Sequence, residues 1–280
     1  MERNKLIGLI ICIFFIITGF VINGNVAIYF NLVAFLIVLG GTFGAAFLSF
    51  RMERLSIVYK VLRASYRTKV KTPEEIVEIL VDLSVKSKIK GVLSLQEDQE
   101  ETSIMFLRRS LGFLVDGYTK DQIKEILTTE MYFFKLRREE SERVLRTIAE
   151  ICPSFGLIGS MVGLIGMLAG VGDSSVILKT IPVALTSTLY GVILANFFFL
   201  PFAAHMRERT DQELLLQKII LEGIMAIESE LRPRVLEMKL KSFLTPSSRE
   251  GRIISLKRIQ KLFKIWSDDY KPGTVDESAG

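Results

Sequence analysis

Two apolar stretches, Cys152–Val171 and Ile181–His205, hold the side chains best suited to chemistry. Thr186, Ser187 and Thr188 place three hydroxyls in one helical turn of the second stretch, and Ser160 adds a fourth in the first. At membrane depth a hydroxyl either bonds a carbonyl of its own backbone or donates to a passing ion. Glu150 stands three residues before Pro153, at the mouth of the first stretch. A carboxylate there can draw cations inward, or it can pair with Arg143 or Arg146. No His, Asp, Glu or Lys lies at mid-depth in either stretch. Proton relays and ion carriers within membranes use such groups. The chain can therefore line a pathway, while the titratable carrier comes from elsewhere.

The same stretches are seamed with small residues. Pro153, Gly156, Ser160, Gly163 and Met167 recur at spacings of three and four, which puts them on one helix face, and Gly159, Gly163, Gly166 and Gly170 form a second row. Ala184, Thr188, Gly191 and Ala195 make a matching row on the second stretch. Small residues at this spacing let helix backbones approach in lipid, where packing rather than hydrophobic exclusion drives association. The seam serves either packing within the chain or packing against another subunit.

These stretches need a membrane to position them. The chain has 280 residues, 49% hydrophobic and 24% charged, with mean hydropathy +0.36, so the two populations must be segregated. A bilayer core of about 30 Å needs roughly 20 apolar residues per helix. Four segments qualify: about 6–22, 29–50, 152–171 and 181–204. Basic residues flank them at Arg3 and Lys5, Arg51 and Arg54, Arg143 and Arg146, and Arg207 and Arg209. By the positive-inside tendency both termini are cytoplasmic. Of the 36 Lys and Arg residues only Lys179 lies in an outer connection, and a net charge of +5 needs no nucleic acid to explain it. The first segment reads as a retained membrane helix rather than a cleaved leader, because no small-residue cleavage site follows it. Cys12 and Cys152 read as small apolar residues.

The expected fold class is therefore an all-α integral membrane protein of four transmembrane helices. A membrane hairpin occupies residues 1–50, a helical cytoplasmic domain 51–150, a second hairpin 151–205 and a cytoplasmic helix 206–246. Thr72-Pro73-Glu74-Glu75 is a capping box with proline at the first helical position, and Thr119-Lys120-Asp121-Gln122 is a second helix start. The pattern from Tyr132 to Ile148 runs on toward the third span. Arg207–Leu231 is helical until Pro233. In the segment 247–280, Leu256, Ile259, Phe263 and Trp266 alternate with Lys257, Arg258, Lys261 and Lys264, a basic amphipathic helix that suits an anionic leaflet or a neighbouring subunit, followed by a flexible tail.

Several motifs in order resemble the flagellar motor stator A subunits (MotA and PomA type) of the wider MotA/TolQ/ExbB group. They are Gly40-Gly41-Thr42, the run Glu150-x-x-Pro153-x-x-Gly156-x-x-Gly159-Ser160-x-x-Gly163-Leu164, and Ala184-Leu185-Thr186-Ser187-Thr188-Leu189-Tyr190-Gly191 with Asn196 and Pro201 downstream. Glu222-Gly223-Ile224 and Arg232-Pro233-Arg234 continue the likeness, which covers about 6–246. It implies a homo-oligomer, a pentamer in the stators, around a B subunit that bears a membrane aspartate and a peptidoglycan-binding domain. Proton or sodium flow through the bacterial inner membrane would then drive torque on the rotor protein FliG, with no cofactor beyond the transported ion. On this match Pro153 and Pro201 are hinges, Glu150 is the acidic residue of the inner mouth, and Ser160 and Thr188 face the partner aspartate. Gly156, Gly159, Gly163 and Gly191 pack helices, and Lys88 and Lys90 face the rotor.

The chain departs from the family pattern in two places. The acidic rotor-facing residue expected five positions after Gly91 falls on Gln96, with Glu97 beside it. Ser160 stands where the family's threonine accompanies sodium and its small apolar residue accompanies protons, so the ion stays open. A TolQ/ExbB-like energiser of envelope transport shares the last two spans but lacks the Gly-Gly-Thr hairpin. A non-conducting membrane scaffold or sensor is the remaining alternative. No metal cluster, nucleophile with a base or phosphate loop points to an enzyme, and His205 sits at a helix end where it caps or snorkels.

Overall fold

The computed structural model describes residues 29–67 and 71–246, with scattered positions between Gly8 and Gly24. The segment 247–280, and most of the expected first span, lie outside the described residues. All regular structure among the described residues is helical. In chain order the helices are α1 (Leu32–Ser49), α2 (Met52–Arg67), α3 (Pro73–Lys90), α4 (Gln96–Glu101), α5 (Met105–Val115), α6 (Lys120–Ala169), α7 (Ser174–Ile193), α8 (Leu200–Glu228) and α9 (Pro233–Lys241), with a 3-10 turn at Val92–Leu95 and a π-helical stretch at Leu194–Phe199.

Three of these helices, α1, α6 and the run from Ser174 to Glu228, contain a window long and apolar enough to cross a membrane. The expected span 181–204 falls within the last of these, while 29–50 and 152–171 overlap α1 and the end of α6 and run a few residues beyond them. The link between α6 and α7 is shorter than the sequence implied. Helix α7 begins at Ser174, where Asp173 caps it by accepting from the Ser175 amide at 2.8 Å, so Gly170–Asp173 form the link and Lys179 lies on the helix.

The helix starts follow local chemistry. Thr72 Oγ1 accepts from the Glu75 amide at 3.3 Å with Pro73 in the first turn of α3. At Thr119 the box is reciprocal, because Gln122 Oε1 accepts from the Thr119 amide at 3.0 Å while Thr119 Oγ1 accepts from the Gln122 amide at 3.5 Å. That start opens one unbroken helix of 50 residues that carries the charged run and most of the apolar stretch expected as the third span. Pro233 plays a different part from the expected terminator. Helix α8 ends at Glu228, and Pro233 opens α9 at its first turn, where a missing N–H costs nothing.

The chain divides into two compact units, one of residues 1–69 with 135–211 and one of 70–134 with 212–280. In the first, α1 buries Ala34, Val38, Thr42 and Ala46, a narrow stripe at every fourth position, while Phe35, Leu36, Phe43, Phe47 and Leu48 stay exposed. A stripe that thin suits close helix approach in lipid, whose tails are as apolar as the exposed residues. The second unit has a larger apolar core, in which Ile76, Leu80, Leu107, Leu111, Ile123, Ile219, Ile220 and Ile224 are nearly or fully buried. Gly223 lets α8 approach this core: a methyl there would stand 2.7 Å from a Leu80 methyl.

Candidate functional site

The glycine seam closes within the chain. A methyl at Gly159 would lie 2.5 Å from Ser187 Cβ, one at Gly163 2.5 Å from Ala184 N, one at Gly166 3.1 Å from Thr180 Cγ2, and one at Gly170 2.3 Å from Val176 Cγ1. The partners step down α7 as the glycines step up α6, the register of an antiparallel pair joined by a short link. Gly156 and Gly191 face each other, and a methyl on Gly191 would meet Cys152 O at 2.7 Å and Pro153 Cα at 3.2 Å. Both rows that sequence spacing had identified therefore serve the hairpin itself. Gly41 of the Gly-Gly-Thr motif holds the Phe155 ring, whose Cδ1 would stand 2.1 Å from an added methyl.

This packing sorts the hydroxyls. Thr186 and Ser187 are buried and turn back on their own helix, donating to Pro182 O and Val183 O, each at 2.7 Å. Thr188 is exposed and faces across the seam to Ser160. Ser160 Oγ donates to Ala184 O at 2.5 Å, and the two hydroxyl oxygens are 2.5 Å apart. A serine has one hydroxyl hydrogen. Since that hydrogen is on Ala184, Thr188 is the donor to Ser160. The chain of bonds runs Thr188 to Ser160 to backbone, and both hydrogens are used inside the protein. What the pair presents outward is the lone pairs of Thr188. Of the expected pathway hydroxyls, the structure thus joins Ser160 with Thr188 and sets Thr186 apart.

At a rise of about 1.5 Å per residue, Ser160 lies roughly 12 Å above Cys152 and about 13 Å below Ala169. The pair sits midway along the apolar part of α6. Glu150 is exposed, ten residues toward the other end. Arg146 pairs with Glu142 at 2.7 Å rather than chiefly with Glu150.

The two prolines differ in surroundings. Pro153 is inside α6 and backs onto Gly191. Pro201 follows the π-helical stretch, whose last bond runs from the Leu200 amide to Ala195 O. A proline clashes with the carbonyl four residues before it, and the wider π turn eases that clash.

Tyr190 was legible only as part of a motif. Its hydroxyl donates to Tyr29 O and accepts from the Asn31 amide at 2.8 Å, while its ring meets Phe35 edge-on at 6.1 Å. Asn31 in turn caps α1, accepting from the Ala34 amide at 3.0 Å. One side chain thereby fixes the start of α1 against α7. A long-range hydrogen bond of this kind leaves no periodic trace in sequence.

The expected rotor-facing residues all fall in the second unit. Lys90, Gln96 and Glu97 are exposed. Glu97 accepts from Lys86 at 3.3 Å and Asp98 from the same ammonium at 2.7 Å. Burial lowers the Lys86 pKa, and the two carboxylates outweigh it, Asp98 more than Glu97, so the group ends above its ordinary value. Lys88 pairs with Glu230 at 3.3 Å. Arg109 pairs with Glu130 at 2.6 Å, and Arg108 donates to Gln99 O at 3.0 Å. Glu222 sits between Lys239 at 2.6 Å and Lys218 at 3.4 Å. Burial pushes its carboxyl up; Lys239 first and Lys218 second more than offset that and hold it below the usual range. The described residues include no group of three or more His, Cys, Asp or Glu that could hold a metal ion.

Membrane-length apolar helices, a glycine-seamed hairpin and a mid-depth hydroxyl pair define an all-α membrane protein whose spans meet through small residues. Residues 96–218 match the model of the MotA/TolQ/ExbB proton channel family. The chain is similar to the chemotaxis protein PomA of Vibrio alginolyticus, 30% identical over 249 residues that cover 89% of this chain and 98% of that protein. It belongs to the MotA/TolQ/ExbB family. Its fold matches the C. jejuni MotAB structure with a TM-score of 0.83 at 25% identity, covering 91% of this chain and 100% of the other. It also matches the flagellar MotAB stator complex from Bacillus subtilis with a TM-score of 0.82 at 25% identity, covering 89% and 98% of the two chains.

Proposed function

We propose that this chain is the A subunit of an ion-driven flagellar stator, which with a B subunit couples proton or sodium flow to torque on the rotor. The carrying observation is the Thr188–Ser160–Ala184 bond chain at mid-depth on spans that bring no carboxylate of their own. The partner supplies that carboxyl as a membrane aspartate, on a chain that anchors to peptidoglycan. Copies of this subunit form a ring, a pentamer, in the bacterial inner membrane with both termini cytoplasmic. The subunit acts by binding and motion and catalyses no reaction. Near full-length likeness to PomA, together with a Gly41 that seats Phe155, supports the stator branch over the TolQ/ExbB-like alternative.

The direction of the hydrogen bonds sharpens the mechanism. With both hydrogens used internally, the pair accepts rather than donates. It suits a protonated partner carboxyl, which has a hydrogen to give, or a carboxylate whose charge a bound cation already balances. A bare carboxylate needs donors, and it obtains them only if Thr188 lets go of Ser160. Loading with an ion therefore lets the partner helix rest against the resting pair, and ion release toward Glu150 requires the hydroxyls to reorient before the next subunit engages. Moving one charge across 100 mV is worth about 2.3 kcal/mol, and a neutral hydrogen bond is worth about 1 kcal/mol. One ion step suffices to break one such bond. Pro153 and Pro201 let the spans flex as this happens.

The test is Thr188→Ala, expressed with the B subunit in the native host. Motility falls sharply or stops while both subunits still assemble in the membrane. Unaltered swimming would remove Thr188 from the mechanism. Swimming in proton-rich and in sodium-rich media identifies the ion, and dependence on neither overturns the stator reading.

A further inference from the structure

We infer that α2 (Met52–Arg67) lies in the plane of the membrane surface and binds the phosphate headgroups of anionic lipids through Lys60 and Arg63, with Met52, Tyr59 and Tyr66 turned toward the bilayer. This rests on the proposed membrane reading, in which α1 and the apolar stretch 181–204 cross the bilayer.

Both ends of α2 are held where an apolar stretch ends. Only Phe50 and Arg51 separate it from α1, and Phe50 has extended backbone (φ −131°, ψ 144°) that turns the chain out of the α1 axis. At the other end the Tyr66 ring stacks on His205 at 4.3 Å and meets Phe202 edge-on at 6.2 Å, beside the last residues of the stretch 181–204. The 16 residues of α2 span about 24 Å. A helix of that length with both ends at such boundaries runs along the boundary rather than away from it. Between the ends, Val58 is buried in one cluster with Val144, Ile148 and Met206, so one side of α2 is seated on α6 and α8.

The side left open carries apolar and basic residues in one order. Met52, Tyr59 and Tyr66 recur every seven residues, which sets them in one row along the helix, and they are 65%, 64% and 37% exposed. Tyrosine suits a membrane–water boundary, because its ring is apolar and its hydroxyl stays wet. Arg63 stands beside the same row, four residues after Tyr59 and three before Tyr66, and Lys60 adjoins Tyr59; both are exposed. Glu53 is the one acidic residue of the helix, against Arg54, Lys60, Arg63 and Arg67, so α2 attracts anions. Long basic side chains next to an interfacial ring cover apolar surface with their stems and bring their charges to the phosphate layer. The guanidinium fork of Arg63 matches two phosphate oxygens. A zwitterionic lipid offers the same phosphate with a cation of its own, so the positive charge of α2 selects the anionic one. An amphipathic helix held at the surface in this way gains from both its apolar row and its charges.

The experiment reconstitutes the full A subunit with its B subunit into vesicles and reads one tryptophan. Trp266 is the only tryptophan of the chain. Trp266→Phe removes it and Tyr59→Trp places the probe on α2, with the signal of the complex lacking that probe subtracted. The vesicles are phosphatidylcholine with a fixed fraction of dibrominated phosphatidylglycerol or, in the parallel set, of dibrominated phosphatidylcholine, since bromine quenches only a tryptophan it touches. Both lipids are expected to quench the probe, and phosphatidylglycerol to associate about fivefold more strongly, the ratio equivalent to about 1 kcal/mol for one basic residue at an anionic surface. The preference should fall toward one as salt is raised, and again when Lys60→Gln and Arg63→Gln are added. Equal quenching by the two lipids at low salt overturns the headgroup site. So does a preference that survives both salt and the double substitution. Quenching by neither lipid, the result expected if a second copy of this chain covers the face, overturns it too. In each of these cases a complex that has entered the vesicles leaves the membrane reading standing, whereas a complex that does not enter them overturns that reading together with the site.

Discussion

Thr188 donates to Ser160, and Ser160 donates to the carbonyl of Ala184 in the turn preceding Thr188. The serine is therefore the reason that Thr188 faces outward. Without it, the threonine hydroxyl would find the carbonyl of Ala184 four residues back on its own helix, as Thr186 and Ser187 find theirs.

Ser160→Ala accordingly lowers ion-driven motility by turning Thr188 inward, and it changes thermal stability by no more than about 1 kcal/mol. Ser160→Thr, which retains the hydroxyl, recovers most of the motility. Swimming speed and thermal unfolding of the purified complex, measured together, decide the matter. Full motility in Ser160→Ala would show that the outward Thr188 hydroxyl does not depend on the serine.

The seam predicts a graded series. Gly163→Ala sets a methyl 2.5 Å from the Ala184 amide nitrogen and 2.8 Å from its Cα, both backbone atoms that cannot rotate aside. Gly166→Ala meets only Thr180 Cγ2, at 3.1 Å. The first should cost about 1–3 kcal/mol through separation of α6 and α7, and the second less than about 1 kcal/mol. Thermal unfolding in detergent measures the difference, and equal costs would refute the internal seam.

Tyr190→Phe keeps the ring against Phe35 but deletes the hydroxyl shared by Tyr29 O and the Asn31 amide. It leaves one part-buried amide without its partner, so stability should fall by about 1–2 kcal/mol. Faster hydrogen exchange should appear at the first turn of α1 and leave the second unit unaffected.

Glu222 makes a pH prediction. Its folded carboxyl lies below its ordinary value, because Lys239 and Lys218 outweigh the effect of burial. A depressed pKa means that the unfolded chain binds a proton more readily than the folded one. The stabilisation is therefore complete above the unfolded value of about 4.3 and is lost as pH falls through that value and then the folded one. Glu222→Gln should be less stable than wild type at pH 7, by about 1 kcal/mol or less given the exposed lysines. The gap should close below about pH 4. A gap that stays constant down to pH 3 would show that the carboxylate charge is not what Glu222 contributes.

The sequence by itself determined everything that depends on local spacing. The apolar lengths marked out α1 and the apolar parts of α6 and α7, and the Thr72 and Thr119 boxes placed two helix starts. Periodicity also showed which residues share a helix face, but a face does not name what it meets. That Gly159 and Gly163 press on Ser187 and Ala184, that Thr186 turns inward while Thr188 reaches Ser160, and that Tyr190 holds Asn31 were decided only by the tertiary structure. The same holds for Lys88, whose charge was plain in the sequence and whose bond to Glu230 was not. These contacts join residues up to 161 positions apart. They depend on how the helices are brought together, and a hydroxyl hydrogen or an ammonium can serve only the acceptors that this packing places within reach.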